Sequence, residues 1–402
     1  MKKILIFSHA MELGGAERAL LGLLEHIDYQ SYEVDLFLMR HTGELLNYIP
    51  KEVNLLPEIP QYASLAVPIK EVISKRQYKV VLGRILGKIL AKIRVKRLHL
   101  LEDNDVELEY SHKYTKWAMP QISQKKYDLA ISFLTPHYFV VEKVLAKKKI
   151  AWIHTDYSKV AIDIQSQFNM WNQYDNIISI SDSVTESFLK KFPKLKKKIQ
   201  IIKNMMAVKC IERQKDEFTV KKEMPDDECI KILSIGRFCT AKNFDNVPDI
   251  CSRIIKSGCN IKWYLIGFGS DEQLIRKKIK EENMESKVII LGKKSNPYPY
   301  IKECDLYIQP SRYEGNSVSV HEAQFLGKPV IITNYATAKS QLEDKKNGFI
   351  VSLDNQGCAK EIVKIISNNS MIEDIVTNLK KEDHVEKTEV EKIYKYMDGS
   401  GE

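Results

Sequence analysis

Short apolar runs that stop at Gly, Ser, Asn or Pro alternate along this chain with longer segments whose apolar residues recur at helical spacing. In the first half the runs are Ile4–Ser8, Glu33–Met39, Val53–Leu56, Tyr127–Phe133, Lys149–His154, Asn176–Ser181 and Ile201–Asn204. In the second half they are Lys231–Gly236, Lys262–Ile266, Val288–Gly292, Leu306–Pro310, Val330–Thr333 and Asn347–Val351. Helices are expected between them, over residues 16–26, 272–282, 317–325 and 358–367 among others. Strand–helix alternation of this kind predicts the α/β class with parallel sheets. At 402 residues the chain is too long for one ordinary core. A first domain is expected over 1–205, a second over 206–380, and a helical tail over 381–402.

Residues 68–101 break the alternation. Lys70, Lys75, Arg76, Lys79, Arg84, Lys88, Lys92, Arg94, Lys96 and Arg97 stand there against a single acid, Glu71. Apolar residues at 81, 82, 85, 86, 89, 90 and 93 fall at helical spacing, with Arg84, Lys88 and Lys92 on another face. Such a helix either packs its apolar stripe on the core and leaves the lysines in water, or lies on an anionic membrane surface. No recognisable nucleic-acid module accompanies the charge, so nucleic acid is not an expected partner. No run approaches the roughly 20 apolar residues that span a bilayer. The apolar part of Met1–Ser8 is too short for a signal peptide and reads as a strand.

The densest chemistry lies in Ser311–Val330. A buried strand ends at Pro310, the chain turns through Glu314-Gly315-Asn316, and a helix begins at Ser317 and Val318. Backbone N–H groups at such a helix start converge with the positive end of the helix dipole, a place that phosphate prefers. Glu314 precedes the helix, whereas Glu322 lies a turn or more inside it and can accept hydrogen bonds from a polyol. Seven residues separate them. Upstream, the strand ending at Gly236 leads into Arg237, and Lys242 follows five positions later. Two cations near one sheet edge can neutralise charge that grows on a departing diphosphate. Near the start, Gly14-Gly15 lets the backbone turn tightly at a helix N-terminus. The spacing is not that of a dinucleotide fingerprint, so a nicotinamide cofactor is not indicated. His154 stands just past the carboxyl end of a strand, where parallel sheets place ligands. A bare Gly-Gly or a lone histidine is by itself more often structural.

Glu-x7-Glu within Ser-x-x-Glu-Gly…Glu-Ala…Gly-x-Pro-Val resembles the donor-site signature of retaining glycosyltransferases of family 4. Gly236-Arg237…Lys242-Asn243 is similar to that family's phosphate-clamping motif, and Gly14-Gly15-Ala16-Glu17 to its N-terminal one. The resemblance implies two facing Rossmann-like α/β domains with a deep cleft between them, the GT-B arrangement, and a tail that packs back on the first domain. It implies transfer of a sugar, with retention, from a nucleotide sugar, in first place a uridine diphosphate sugar, to a glycan or lipid-linked acceptor in cell-surface polysaccharide synthesis. On this resemblance Arg237 and Lys242 stabilise the leaving diphosphate with the helix start at Asn316, Ser317 and Val318. Glu322 holds the ribose, Glu314 sits against the donor sugar, and Lys293 lies beside the base with Gly236 lining the strand end. Gly14 and Gly15 lie across from the diphosphate, and His154 meets a sugar hydroxyl or shapes the acceptor side. The family's Ile-x-Asn-Gly/Pro linker motif departs here to Asn204-Met205-Met206.

Composition adds little beyond this. Apolar content of 44% and charged content of 29% are those of an ordinary globular protein, and the net charge of +9 comes mostly from lysine. Seven cysteines fall singly in the second half with no C-x-x-C pair, which suits reduced thiols and a cytoplasmic setting, at the inner membrane face if the basic segment binds lipid. Asp103-Asn104-Asp105 spells D-x-D but sits in an acidic run with no preceding strand, so no metal or other cofactor is expected. A nucleotide-sugar 2-epimerase and a non-catalytic nucleotide-sugar-binding subunit use the same architecture and stay open. An epimerase needs acid–base groups beyond His154, and a binding subunit has no need of the whole diphosphate clamp.

Overall fold

A computed structural model describes residues 1–100, 104–315, 317–381 and 387–398. They form two compact units, one of Met1–Met205 with the C-terminal helix Lys387–Asp398, the other beginning at Met206.

The first unit is built on seven strands: β1 (Lys2–Ser8), β2 (Tyr32–Leu38), β3 (Asn54–Leu55), β4 (Lys126–Ser132), β5 (Leu145–Ile153), β6 (Asn176–Ser179) and β7 (Ile199–Ile201). They pair in parallel in the order β3-β2-β1-β4-β5-β6-β7. Helices cover both faces, so the central strands carry near-continuous apolar runs and not a polar–apolar alternation. One side of the core is aromatic: Phe7 meets Phe37 at 5.9 Å between ring centroids, and Tyr62 meets Phe37 at 5.2 Å and Phe139 at 5.0 Å. The helix Lys387–Asp398 belongs to this unit through Tyr394, whose ring stacks on Tyr32 at 4.1 Å and whose hydroxyl accepts from the Asp28 N–H at 2.9 Å. Glu389 accepts from the Lys203 N–H at 2.9 Å.

The second unit has six strands: β8 (Ile230–Ile235), β9 (Ile261–Ile266), β10 (Val288–Gly292), β11 (Leu306–Gln309), β12 (Val330–Thr333) and β13 (Phe349–Val351). Their order is β10-β9-β8-β11-β12-β13, again parallel throughout. Alternate residues feed two cores. Ile232, Trp263, Leu265, Ile308 and Ile331 enter one, whereas Leu233, Tyr264, Ile266, Tyr307 and Ile332 enter the other. In both sheets the strand order reverses between the first strand and the one that follows the crossover, β1 beside β4 and β8 beside β11. Loops that leave the carboxyl ends of those strand pairs are where open α/β sheets hold ligands.

The basic segment departs from the core-packing expectation. A short helix, Ile69–Ser74, precedes a 21-residue helix, Tyr78–Leu98, whose buried side is Val80, Gly83, Gly87 and Ala91. These small residues let it press on the helix Val106–Thr115, with a Cβ at Gly87 falling 2.6 Å from the Tyr110 carbonyl oxygen and one at Gly83 falling 2.7 Å from that of Tyr114. Of the expected core stripe, Leu82, Ile85, Leu86, Ile89 and Ile93 point outward, while Leu90 packs beside Ala91, Val106 and Tyr110. Arg84, expected on the wet face, turns in and donates to the carbonyls of Ser64 (2.9 Å) and Val67 (2.5 Å). Gly87→Ala is therefore expected to cost about 2 kcal/mol despite alanine's better helix propensity, because backbone stands where its methyl must go. Urea unfolding measures this, with the exposed Leu82→Ala as a control expected within about 0.5 kcal/mol of the parent.

Candidate functional site

The loop after β8 and the loop after β11 bring their charged residues together at the second unit's reversal point. Lys242 closes a single 3₁₀ turn, Thr240–Lys242, and its ammonium makes a short ion pair with Oε1 of Glu314. The two side chains are only 17% and 12% exposed. Gly236 permits this, since a Cβ there would lie 2.9–3.2 Å from the Lys242 methylenes. Asn243 adopts a left-handed conformation (φ 61°) and donates to the Pro310 carbonyl at 2.9 Å, tying the two loops. Arg312 completes the tie: its backbone N–H donates to the Ala241 carbonyl at 2.8 Å, and its guanidinium grips Asp245 at 2.7 Å. Arg237 is exposed on the same loop.

Glu314 is fixed from several sides. Ser311 donates to its Oε1 at 2.7 Å, Gln309 donates to Ser311 at 3.0 Å, and Thr337 donates to the Glu314 carbonyl at 2.8 Å. The helix runs Val318–Phe325 with Ser317 at its N-cap. Its first N–H does not point outward as expected: the Ser317 N–H donates to Gln341 Oε1 at 2.7 Å, and Gln341 also meets His321 at 3.0 Å. Glu322 is 2% exposed and accepts from the Tyr298 hydroxyl at 2.8 Å. Asn316 lies outside the described residues.

Gly267 and Gly269 let the loop after β9 lie against this one. Their Cβ positions would fall 1.9 Å from the Gly236 carbonyl oxygen and 2.3 Å from that of Phe238, at φ near +155°. Phe268 stays half-exposed, with the Lys293 ammonium 5.3 Å from its ring centroid. Lys294 turns away to Glu223 at 2.6 Å. The structure thus groups Gly236, Arg237, Lys242, Glu314, Ser317, Val318, Glu322 and Lys293 on adjoining strand ends of one sheet. Sequence reasoning missed Tyr298, Ser311 and Gln341. Tyr298 stands between Pro297 and Pro299, a pattern that signals a segment boundary and not a ligand contact, and nothing local flags Gln341.

Gly14, Gly15 and His154 belong to the other unit. Gly14 is the N-cap of the helix Gly15–His26 in extended backbone (φ −145°), and the Glu17 carboxylate folds back into the space a Cβ would take. His154 follows β5, its ring 4.6 Å from that of Phe133 and both ring nitrogens enclosed without a well-formed hydrogen bond. Burial holds its pKa down, to about 4, against a smaller opposing effect of the Phe133 backbone. With His112, His137, Glu109, Trp152 and Trp171 it lines a cavity of about 140 Å³. Among the described residues no three His, Cys, Asp or Glu side chains are grouped to hold a metal ion, and Asp103 of the D-x-D lies outside them. No described helix is long and apolar enough to cross a membrane.

Residues 215–382 match the family model described as glycosyl transferases group 1. This segment is a group 1 glycosyl transferase domain. Over 161 residues, 40% of this chain and 32% of the relative, the chain is 26% identical to a Staphylococcus aureus poly(ribitol-phosphate) alpha-N-acetylglucosaminyltransferase. A Campylobacter jejuni 4-alpha-N-acetylgalactosaminyltransferase acting on a diphospho-undecaprenol-linked sugar is 26% identical over 189 residues, 46% of this chain and 49% of that protein. The chain thus spans half or less of these curated relatives. In fold it resembles Anabaena HepE, solved in complex with UDP and glucose, over 99% of this chain and 100% of that one, with 16% identity and a TM-score of 0.67. The two units have the Rossmann-like fold of the GT-B class, and the second contains the matched segment.

Proposed function

We propose that the chain is a retaining glycosyltransferase that moves a sugar from a nucleoside diphosphate sugar, with uridine as the base, to a glycan or lipid-linked acceptor of a cell-surface polymer. The observation that carries this is the Lys242–Glu314 pair, held by Gly236, Ser311 and Asn243 at the reversal point of a parallel sheet beside a helix start. An ammonium poised there, with Arg237 exposed on the same loop, fits the growing negative charge on a diphosphate whose bond to the anomeric carbon is breaking. The acceptor hydroxyl forms the new bond, and its proton passes to the leaving diphosphate oxygen. Glu322, oriented by Tyr298, takes the ribose hydroxyls, and Lys293 over Phe268 lies toward the base. Glu314 meets the sugar once the diphosphate draws Lys242 away. Gly14, Gly15 and His154 serve the sugar and acceptor side. The relatives' acceptors, a ribitol-phosphate polymer and an undecaprenol-linked sugar, and the UDP bound to HepE support the reading.

A thermal-shift panel tests it. UDP near 100 times its dissociation constant is expected to stabilise the chain by about 2.7 kcal/mol, ADP far less, and Arg237→Ala is expected to weaken the UDP effect. If no nucleoside diphosphate raises the melting temperature, the donor reading fails. Isomerised donor with no new glycoside would make the chain an epimerase.

A further inference from the structure

The helix Tyr78–Leu98 presents to solvent what an amphipathic helix normally hides. Tyr78, Leu82, Ile85, Leu86, Ile89 and Ile93 are each between 42% and 63% exposed. At about 100° per residue they occupy a sector about 100° wide, opposite the packed Val80, Gly83, Gly87 and Ala91. Lys88 and Lys92 border the stripe on one side, Lys79 and Arg97 on the other, and Lys96 lies at its C-terminal end, all of them exposed. The helix carries no Asp or Glu. Of these cations Lys88 pairs with Glu107, at 3.1 Å on the neighbouring helix.

We infer that this helix is a membrane-surface element that seats Leu82, Ile85, Leu86, Ile89 and Ile93 in the acyl boundary of an anionic bilayer, with the flanking lysines and Arg97 at the headgroups. The stripe has the width of a buried helix face, and its borders are positive on both sides. A second copy of the helix fits less well, because in either orientation lysine borders would meet lysine borders with no acid on the helix to pair them. An isolated apolar face of this size in water invites association, so a covering partner is required by its chemistry. The tight glycine contacts with the helix Val106–Thr115 hold the stripe outward and make it part of the rigid unit. This surface is independent of the transfer reading, and the two fail separately.

Flotation with phosphatidylcholine vesicles, alone and mixed with phosphatidylglycerol, tests the inference at moderate salt. The full chain is expected to partition about tenfold more onto the anionic vesicles, and less at high salt. Leu82→Ser/Ile89→Ser/Ile93→Ser and Lys79→Gln/Lys92→Gln/Lys96→Gln are each expected to fall to the neutral-vesicle level. All six positions are exposed, so melting temperature and UDP response are expected to stay at the parent's values. Equal partition of the parent onto both vesicle types overturns the inference, as does parent-like binding by both variants. Sedimentation that shows a dimer of the parent and a monomer of the serine variant also overturns it, giving the stripe to a second copy.

Discussion

Lys242→Ala is expected to lower kcat/KM for sugar transfer by about 10²–10³-fold, mostly in kcat, with the donor KM changed far less. The ammonium meets the diphosphate most strongly when negative charge has built up on it, so its removal costs more in the transition state than in the ground state. Two effects add in this variant, because the alanine also leaves Glu314 without its cation. A carboxylate held by Ser311 and only 12% exposed then faces the incoming diphosphate as a like charge. Glu314→Gln in the Lys242→Ala background should therefore recover part of the loss, and the double variant should lie well short of the product of the two single effects. Steady-state kinetics of the four proteins checks this. Multiplicative losses would mean that the pair does not act as a unit. A loss confined to KM would mean that Lys242 binds the donor without acting on the departing diphosphate.

The central strands of both sheets are legible because both faces are buried, which leaves continuous apolar runs cut by glycine or proline; at the edge, β7 is Ile199–Ile201 where the run suggests Ile201–Asn204. Gly236, Arg237 and Lys242 were legible for a related reason: they are neighbours in the chain as well as in space. What resists reading is contact at long separation. Tyr298 reaches Glu322 from 24 residues away, and Gln341 caps Ser317 from the same distance. Both depend on how two helices pack on one sheet face, which no local period encodes. Gln341 also explains why the helix start differs from the expected open cradle, since a side-chain amide already satisfies its first donor. The basic helix shows the opposite limit. Its spacing gives a stripe but not a direction, because the same stripe suits a protein core or a bilayer surface. Gly83 and Gly87 set the direction, because only the small face admits the neighbouring backbone.

The first unit should lose stability steeply as pH falls from about 6.5 toward 4. His112 and His137 are fully enclosed and their pKa values are pushed down to about 3, and that of His154 to about 4, in each case chiefly by burial. The imidazole of His137 stacks on Trp171 at 4.6 Å and bonds Ser132 at 2.8 Å, and the neighbouring His154 and His112 lower its pKa further. All three are neutral in the folded chain at pH 7. Their folded pKa values lie below the unfolded one, so the unfolded chain binds more protons in this window. Stability is therefore full above pH 6.5 and is lost as pH falls toward the folded values. At pH 5 each histidine contributes a loss of up to about 2 kcal/mol, a sum comparable with a typical domain's whole stability. Glu109 acts in the opposite sense: burial raises its pKa, so its protonation favours the folded state as pH falls. Asp35 and Asp163 have lowered pKa values, so their losses come at lower pH. Urea unfolding at pH 7.5, 6 and 5 should show the decline, and His137→Phe should flatten it by about one proton's share. Equal stability at pH 7.5 and 5 would mean that water reaches these rings in the folded state.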